Sequence, residues 1–191
     1  MASQPIPFLT PEQYLELERK AEHRSEYWQG QMFAMSGATR SHNLIGGNVF
    51  GQVREQLRGR PCEPYTSDMR VMASNASLYA YPDVTVVCGP PQFLENRQDT
   101  LLNPTLIIEV LSPSTEAYDR GRKFERYRTI ASLRQYLLIA QDRIQADLYT
   151  RQSEEKWVLT SFNGRENFVE LESVGCRLSL AECYERVDFP D

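Results

Sequence analysis

Residues 106–111 read Leu-Ile-Ile-Glu-Val-Leu, an apolar run that is interrupted only by Glu109. A short, continuous apolar run predicts a β-strand that is covered on both faces. An ionised carboxylate in such a strand is costly unless it is paired, metal-bound or neutralised by a proton. The stretch therefore predicts a central strand, and it leaves two interpretations of Glu109: an ion pair with one of the many arginines, or a metal ligand.

A second carboxylate, Asp83, follows Pro82 and precedes an apolar strand-like run. Asp beside Pro is also common in an ordinary turn at the start of a strand. If both strands end at the same margin of one sheet, Asp83 and Glu109 can together hold a hard, oxygen-preferring cation such as Mg²⁺. The backbone carbonyl of Val110 is the candidate for a further ligand. We predict this metal site.

The third charged group is a lysine. Side chains two residues apart in a strand share a face, so a lysine two positions after Glu109 would lie beside the metal, but Leu111 occupies that position. The next lysine is Lys123, one of three lysines in a chain with 21 lysine and arginine residues. Lysine is a compact charge whose pKa shifts readily on burial, whereas arginine stays protonated. The alternative for Lys123 is a solvated helix face with an i,i+4 pair to Asp119.

The remaining pattern predicts helices and short strands. Thr10 and Gln13 form a helix-capping box, and the glycines at positions 46, 47 and 51 suggest that the second helix packs closely against another backbone. Residues 92–103 are polar and predict an irregular surface loop. We predict helices at 11–22, 41–57 and 115–130, a hairpin at 25–36, strands at 62–65, 69–73, 83–88, 106–111, 136–140, 144–150 and 157–162, and one more strand with a short helix between 170 and 189.

These elements define the fold class as α/β, a mixed β-sheet flanked by helices with an additional C-terminal β-rich segment. The 191-residue length suits a single domain over 1–191, with residues 1–9 as a loose N-terminal tail. Neither a membrane-spanning run nor a secretory signal is present, so we expect a soluble, cytoplasmic chain. The net charge of −5 argues against strong non-specific binding to DNA.

The cysteines lie at positions 62, 88, 176 and 183, without a C-x-x-C pair. A reduced cysteine in a strand-like apolar run behaves as a small hydrophobic residue. We therefore expect neither a structural disulfide nor a zinc site.

Several stretches of the chain occur in a distinctive order. They are Glu26-Tyr27-Trp28-Gln29-Gly30, Met35-Ser36-Gly37-Ala38, Ser41-His42-Asn43, Tyr81-Pro82-Asp83-Val84, Glu109-Val110-Leu111-Ser112-Pro113-Ser114-Thr115, then Asp119, Lys123 and Tyr127, and finally Gln135-Tyr136. Each piece alone is weak, but the ordered set closely resembles the Uma-two family of endonucleases, within the PD-(D/E)XK, or restriction-endonuclease-like, superfamily. The resemblance covers roughly residues 10–150.

The resemblance implies a restriction-endonuclease-like sheet with Asp83 and Glu109 as metal ligands. It also implies that the catalytic lysine has moved from the strand to the next helix, as Lys123, because Leu111 departs from the general E-x-K pattern of the superfamily. Glu26 matches an acidic position that adds a further catalytic carboxylate in many of these folds. His42 matches a family position to which we assign no role.

The implied function is that of a Mg²⁺-dependent endodeoxyribonuclease, with Mn²⁺ as a substitute cofactor, that hydrolyses phosphodiester bonds in nucleic acid, with DNA favoured. A homodimer is expected, because duplex cutting needs two active sites. The alternative is a catalytically inactive metal- or nucleic-acid-binding module on the same fold. Tyr27, Trp28, Tyr79 and Tyr81 either stack on bases or pack in the core, and the second interpretation is favoured.

Overall fold

The computed structural model describes residues 8–73 and 75–189. Its helices are α1 (Pro11–Glu18), α2 (Arg40–Gln56), α3 (Glu116–Tyr118), α4 (Phe124–Tyr127) and α5 (Leu180–Cys183), with a 3₁₀ turn at Leu94–Asn96 and a π-helical turn at Asp119–Lys123. Its strands are β1 (Ser25–Trp28), β2 (Gln31–Ala34), β3 (Cys62–Thr66), β4 (Arg70–Ala73), β5 (Leu78–Ala80), β6 (Val84–Cys88), β7 (Thr100–Leu101), β8 (Leu106–Leu111), β9 (Gln135–Ala140), β10 (Gln145–Arg151), β11 (Trp157–Asn163), β12 (Phe168–Leu171) and β13 (Cys176–Ser179).

The strands form two larger sheets and one ribbon. The central sheet has six strands in the order β11-β10-β9-β8-β6-β3, and the side sheet has five in the order β2-β1-β5-β4-β7. Strands β12 and β13 form the ribbon. Strand β8 runs antiparallel to β6 and parallel to β9, and all its residues are buried. The prediction of a mixed sheet with 106–111 as a strand covered on both faces is therefore confirmed.

The two faces of the central sheet have different covers. On one face, Val110 of β8 belongs to a core with Ile45 and Val49 of α2, and the C-terminal ribbon adds to that core. On the other face, Leu111 belongs to a core with Tyr127 of α4 and with residues of the side sheet. Because successive strand side chains point to opposite faces, β8 joins both cores.

Several local predictions are confirmed. Thr10 and Gln13 form the capping box at the start of α1, which ends at Glu18, earlier than predicted. The hairpin forms with Gln29 (φ 43°) and Gly30 (φ 91°) as its turn residues, and positive φ at both central positions is typical of a type I′ turn. Residues 1–7 of the predicted tail lie outside the described residues. Leu9 donates its N–H to the Gly30 carbonyl over 2.9 Å.

Other local predictions are wrong. Residues 92–103 are not an irregular loop, since they contain the 3₁₀ turn and β7, whose Leu101 is buried. Strand β5 was not predicted, because a strand this short carries too little alternation to be seen in the sequence. The C-terminal segment forms two strands and a one-turn helix rather than one strand and a helix.

The expectation that the chain has no structural disulfide is also wrong. Cys62 and Cys88 are joined by a disulfide, with their Cα atoms 4.0 Å apart. They lie directly opposite each other in the antiparallel pair of β3 and β6. A sequence separation of 26 residues gave no hint of this register. Among the described residues, no helix is long and apolar enough to cross a lipid bilayer.

The glycines of α2 do not pack closely against a backbone, contrary to the expectation from their positions. A methyl group built on Gly46, Gly47 or Gly51 would have no neighbour within 4 Å. Gly47 is exposed in the middle of a regular helix. These glycines therefore weaken α2 without a packing reason.

We predict that Gly47→Ala raises the free energy of unfolding by about 0.5–1 kcal/mol, because alanine loses less backbone entropy in a helix. Urea denaturation monitored by circular dichroism measures this change. Gly30→Ala is the contrasting variant and lowers stability, because Gly30 has a φ of 91°. A Gly47→Ala protein less stable than the parent would contradict the open environment of this position.

Candidate active site

Glu109 is a buried residue of β8, and its side chain is on the face of the central sheet that is covered by the helical stretch at 116–127. It is 4% exposed. Its Oε1 accepts a hydrogen bond from the Tyr127 hydroxyl over 3.1 Å, and the Lys123 Nζ lies 3.0 Å from the same oxygen. The buried carboxylate is therefore paired, but with a lysine rather than with an arginine.

Lys123 is the centre of a carboxylate cluster. Its Nζ lies 2.9 Å from Glu26 Oε1, 3.0 Å from Glu109 Oε1 and 3.5 Å from Asp119 Oδ1. The i,i+4 pair with Asp119 does form, but Lys123 is only 5% exposed. The interpretation of this position as a solvated helix face is therefore wrong.

The π-helical turn between α3 and α4 carries Asp119 and Lys123 inward. Both side chains are buried, whereas Gly121 and Arg122 between them are exposed. A π turn widens the helix locally, and such turns are frequent at functional sites. The sequence predicted one continuous helix here, which is how the widened turn was missed.

Glu26 reaches the cluster from the side sheet. It lies on β1, and its Oε1 accepts from Lys123 and, over 3.4 Å, from the backbone N–H of Tyr81. Its side chain is 15% exposed. The structure therefore brings Glu26, Glu109 and Lys123 together from two sheets and a helix.

Asp83 lies between β5 and β6, at the margin of the central sheet. Its Oδ2 accepts the backbone N–H of Val110 over 2.7 Å, which places Asp83 beside β8 next to Glu109. The N–H and C=O of a strand residue are directed to the same neighbour, so the Val110 carbonyl faces this side as well. His42, in the first turn of α2, has its Nε2 3.4 Å from the same Asp83 oxygen.

The electrostatics of the cluster follow from burial. Burial raises the pKa of Glu109 well above its usual value, although the Lys123 ammonium opposes the shift. Burial likewise raises the pKa of Asp83, against the effect of His42. Burial alone would lower the pKa of Lys123, but Glu109 and Glu26 outweigh it and raise that pKa well above its usual value. Carboxylates outnumber cations in this cluster.

The oxygen atoms around Asp83 and Glu109 are the donors that a divalent cation would need. Within residues 8–73 and 75–189, no three His, Cys, Asp or Glu side chains are grouped as a metal-binding cluster. Mg²⁺, however, is usually held by only one or two carboxylates and keeps several waters. Asp83, Glu109 and the Val110 carbonyl offer hard oxygen atoms beside a cluster in which carboxylates outnumber cations. Their chemistry fits Mg²⁺.

The sequence analysis assigned Tyr127 no role in the site, and it assigned Asp119 only the role of partner to a solvated Lys123. Tyr127 fixes Glu109, and Asp119 holds Lys123. Both are four residues from Lys123, and side chains at this spacing share one helix face. The four-residue spacing from Lys123 is the feature of the sequence that could have identified both residues as its neighbours.

The aromatic residues considered for base stacking mostly pack in the core. Tyr27, Tyr79 and Tyr81 are buried, and the Tyr27 ring stacks on the Tyr14 ring with centroids 5.0 Å apart. Trp28 is only partly buried. The packing interpretation is therefore confirmed for the three tyrosines.

A mixed central sheet with acidic side chains at its margin defines a protein of the restriction-endonuclease-like fold class. The crystal structure of a putative nuclease from Anabaena variabilis has the same fold, with a TM-score of 0.76, 19% sequence identity, and coverage of 94% of this chain and 99% of that one. The Uma2 family model, described as "Putative restriction endonuclease", matches residues 11–181. The chain belongs to the Uma2 family, as its resemblance predicted.

Two relatives from Synechocystis sp. are similar along most of their length. The uncharacterized protein slr1290 is 35% identical over 189 residues, which cover 98% of this chain and 97% of the relative. The uncharacterized protein sll1609 is 36% identical over 162 residues, covering 85% of this chain and 92% of the relative. The family model, which matches residues 11–181, spans every residue of the candidate site.

We predict that Lys123→Ala lowers the free energy of unfolding by about 3–5 kcal/mol, because it leaves buried carboxylates without their cation. Arg122→Ala removes the exposed neighbouring cation and changes stability by less than about 0.5 kcal/mol. Urea denaturation of both variants measures the difference. Equal effects of the two substitutions would show that Lys123 does not hold the cluster together.

Proposed function

We propose that this chain is a Mg²⁺-dependent endonuclease that hydrolyses phosphodiester bonds in DNA. The observation that supports this proposal is the meeting of Glu26, Asp83, Glu109 and Lys123 at one margin of the central sheet. Membership of a family described as restriction endonucleases supports the same reaction class.

Asp83, Glu109 and the Val110 carbonyl would hold the cation. Bound Mg²⁺ supplies Lewis acidity toward a phosphoryl oxygen and lowers the pKa of a coordinated water, and Mn²⁺ would substitute for it. The backbone N–H of Val110 keeps Asp83 at the sheet margin, and the Tyr127 hydroxyl keeps Glu109 in place. These neutral donors fix both carboxylates without cancelling their charge.

Lys123 would act on the reacting phosphate. Its ammonium orients the attacking water and offsets the negative charge that grows on the phosphoryl group. Glu26 and Asp119 hold the ammonium at the site, so its position does not depend on Glu109 alone. His42 contacts Asp83 and would restrict its rotation.

A catalytically inactive binding module is the second candidate, and one observation favours it. A lysine ammonium has three donor hydrogens, and Lys123 has three carboxylate oxygens within 3.5 Å. In this arrangement no hydrogen remains for a water or a phosphate. Catalysis would therefore require Glu109 to turn away from Lys123 and toward the cation site, which would free one donor hydrogen of the ammonium.

Cleavage of supercoiled plasmid and of single-stranded oligonucleotides tests the nuclease proposal. We expect cleavage with Mg²⁺ or Mn²⁺ and none in EDTA. Asp83→Asn and Glu109→Gln should each lower the rate by about 10²-fold or more, since removal of one preorganised electrostatic group has this effect. Glu185→Gln, an exposed carboxylate 65% accessible in its side chain, is the matched control. If cleavage survives both site substitutions, the activity does not come from this site and the proposal is wrong.

Metal binding is tested separately by thermal unfolding. If Mg²⁺ binds only the folded chain, a concentration 100 times the Kd adds about 2.7 kcal/mol of stability. Asp83→Asn should remove most of this gain, whereas Glu185→Gln should keep it. A Mg²⁺-dependent gain without any hydrolysis would support the inactive module, and no gain in the parent protein would contradict the metal site.

The quaternary structure is part of the same proposal. Cutting both strands of a duplex takes two active sites, so we propose a homodimer for any activity on duplex DNA. Cleavage of a single strand needs only one active site and therefore no dimer.

A further inference from the structure

The hairpin that carries Glu26 also carries an exposed aromatic residue. In the antiparallel pair of β1 and β2, Glu26 lies directly opposite Phe33. Side chains directly opposite each other lie on one face of the sheet, with Cβ atoms about 4.5–5.5 Å apart. Because Glu26 reaches Lys123, Phe33 lies on the hairpin face that is turned toward the candidate active site.

Phe33 is not part of a core. It is 50% exposed, and Met35, two residues further on the same face, is 38% exposed. Within residues 8–73 and 75–189, strand β2 is the edge of the side sheet, and no described strand flanks Phe33 on its outer side. Folding therefore gives no packing reason for a phenylalanine at this position, although exposed apolar area is costly in water.

Two partly buried aromatic residues, Trp28 and Tyr118, lie near the cluster of charges. Trp28 is two residues from Glu26 on the same strand face, and its ring lies 6.1 Å from that of Tyr118 in an edge-to-face arrangement. The Lys123 Nζ lies 5.9 Å from the centre of the Tyr118 ring. We call Trp28, Phe33 and Tyr118 the aromatic rim. The rim adjoins the carboxylates directly.

We propose that Phe33 is a stacking platform for the nucleobase next to the phosphodiester bond that is cut, and that the substrate is therefore single-stranded or locally unpaired nucleic acid. The inference rests on the proposed nuclease function and adds the class of substrate. In a duplex, both faces of a base are covered by its neighbours. A base can stack on Phe33 only after it has left that stack.

The charge of the chain agrees with this substrate. A net charge of −5 weakens the phosphate-based attraction that dominates duplex binding. Base stacking on an aromatic side chain supplies affinity without charge, and it tolerates any sequence because every base has a flat face. An acidic nuclease with an aromatic rim can hold an unpaired strand where it would hold a duplex poorly.

The test measures binding without cleavage. A short single-stranded oligonucleotide carrying 2-aminopurine is titrated with the parent protein in EDTA and with the Glu109→Gln variant in Mg²⁺. We expect quenching of the 2-aminopurine fluorescence as the base stacks. Phe33→Ala should reduce the quenching and weaken binding by about 10-fold, within the range measured for stacking residues. Phe33→Trp should retain both.

Phe168→Ala is the matched control, because Phe168 is 43% exposed and lies on β12, in the C-terminal ribbon. It should leave the quenching and the affinity unchanged. A duplex of the same sequence should bind more weakly than the single strand, and an abasic position in place of the 2-aminopurine should make the parent protein bind like Phe33→Ala.

Three results would overturn the inference: equal quenching by the parent and Phe33→Ala proteins, equal affinity for duplex and single strand, or a loss of dimer on Phe33→Ala in sedimentation with unchanged affinity for DNA. The last result would make Phe33 a contact between copies of the chain. Because binding and quenching are measured without hydrolysis, a chain that stacks bases but never cuts them would refute the nuclease proposal alone.

Discussion

The buried ammonium of Lys123 is the interaction on which the rest of the site depends. It lies within 3.5 Å of carboxylates from β1, β8 and the π-helical turn, so it links elements that are far apart along the chain. Each of these carboxylates would be costly to bury alone, and the lysine would be costly to bury without them. The cluster therefore joins the side sheet, the central sheet and the helical cover in one electrostatic unit.

This unit is unbalanced, because its carboxylates outnumber its cations. Asp83 is held by a neutral backbone N–H and by His42, so it adds negative charge to a region that Lys123 already shares among three partners. Glu109 stands between the two groups: it can pair with Lys123 or bind a cation together with Asp83. A structural ion pair would be closed, with one acid for each base. This cluster resembles a site that is completed by a further positive charge.

The sequence predicted which residues come together better than the geometry that brings them together. Glu109 was visible because a charge in an apolar strand has few explanations, and Asp83 and Lys123 followed from the types of residue that such a charge needs. The widened turn at Asp119–Lys123 was not visible, because the pattern of a helix changes little when one turn is wider. The Cys62–Cys88 disulfide and the contact of Glu26 with Lys123 depend on register and on the meeting of two sheets, which no local pattern encodes.

In the proposed nuclease, register would let one short hairpin serve both catalysis and substrate choice. A slip of one residue in a strand moves every side chain to the other face. The turn at Gln29 and Gly30 fixes the pairing of Glu26 with Phe33. The same turn therefore sets the position of the carboxylate that contacts Lys123 and of the exposed aromatic ring beside it. A change in this turn would therefore disturb the ammonium and the aromatic rim together. On separate loops, either side chain could shift without the other, whereas the hairpin keeps Glu26 and Phe33 in a fixed relative position.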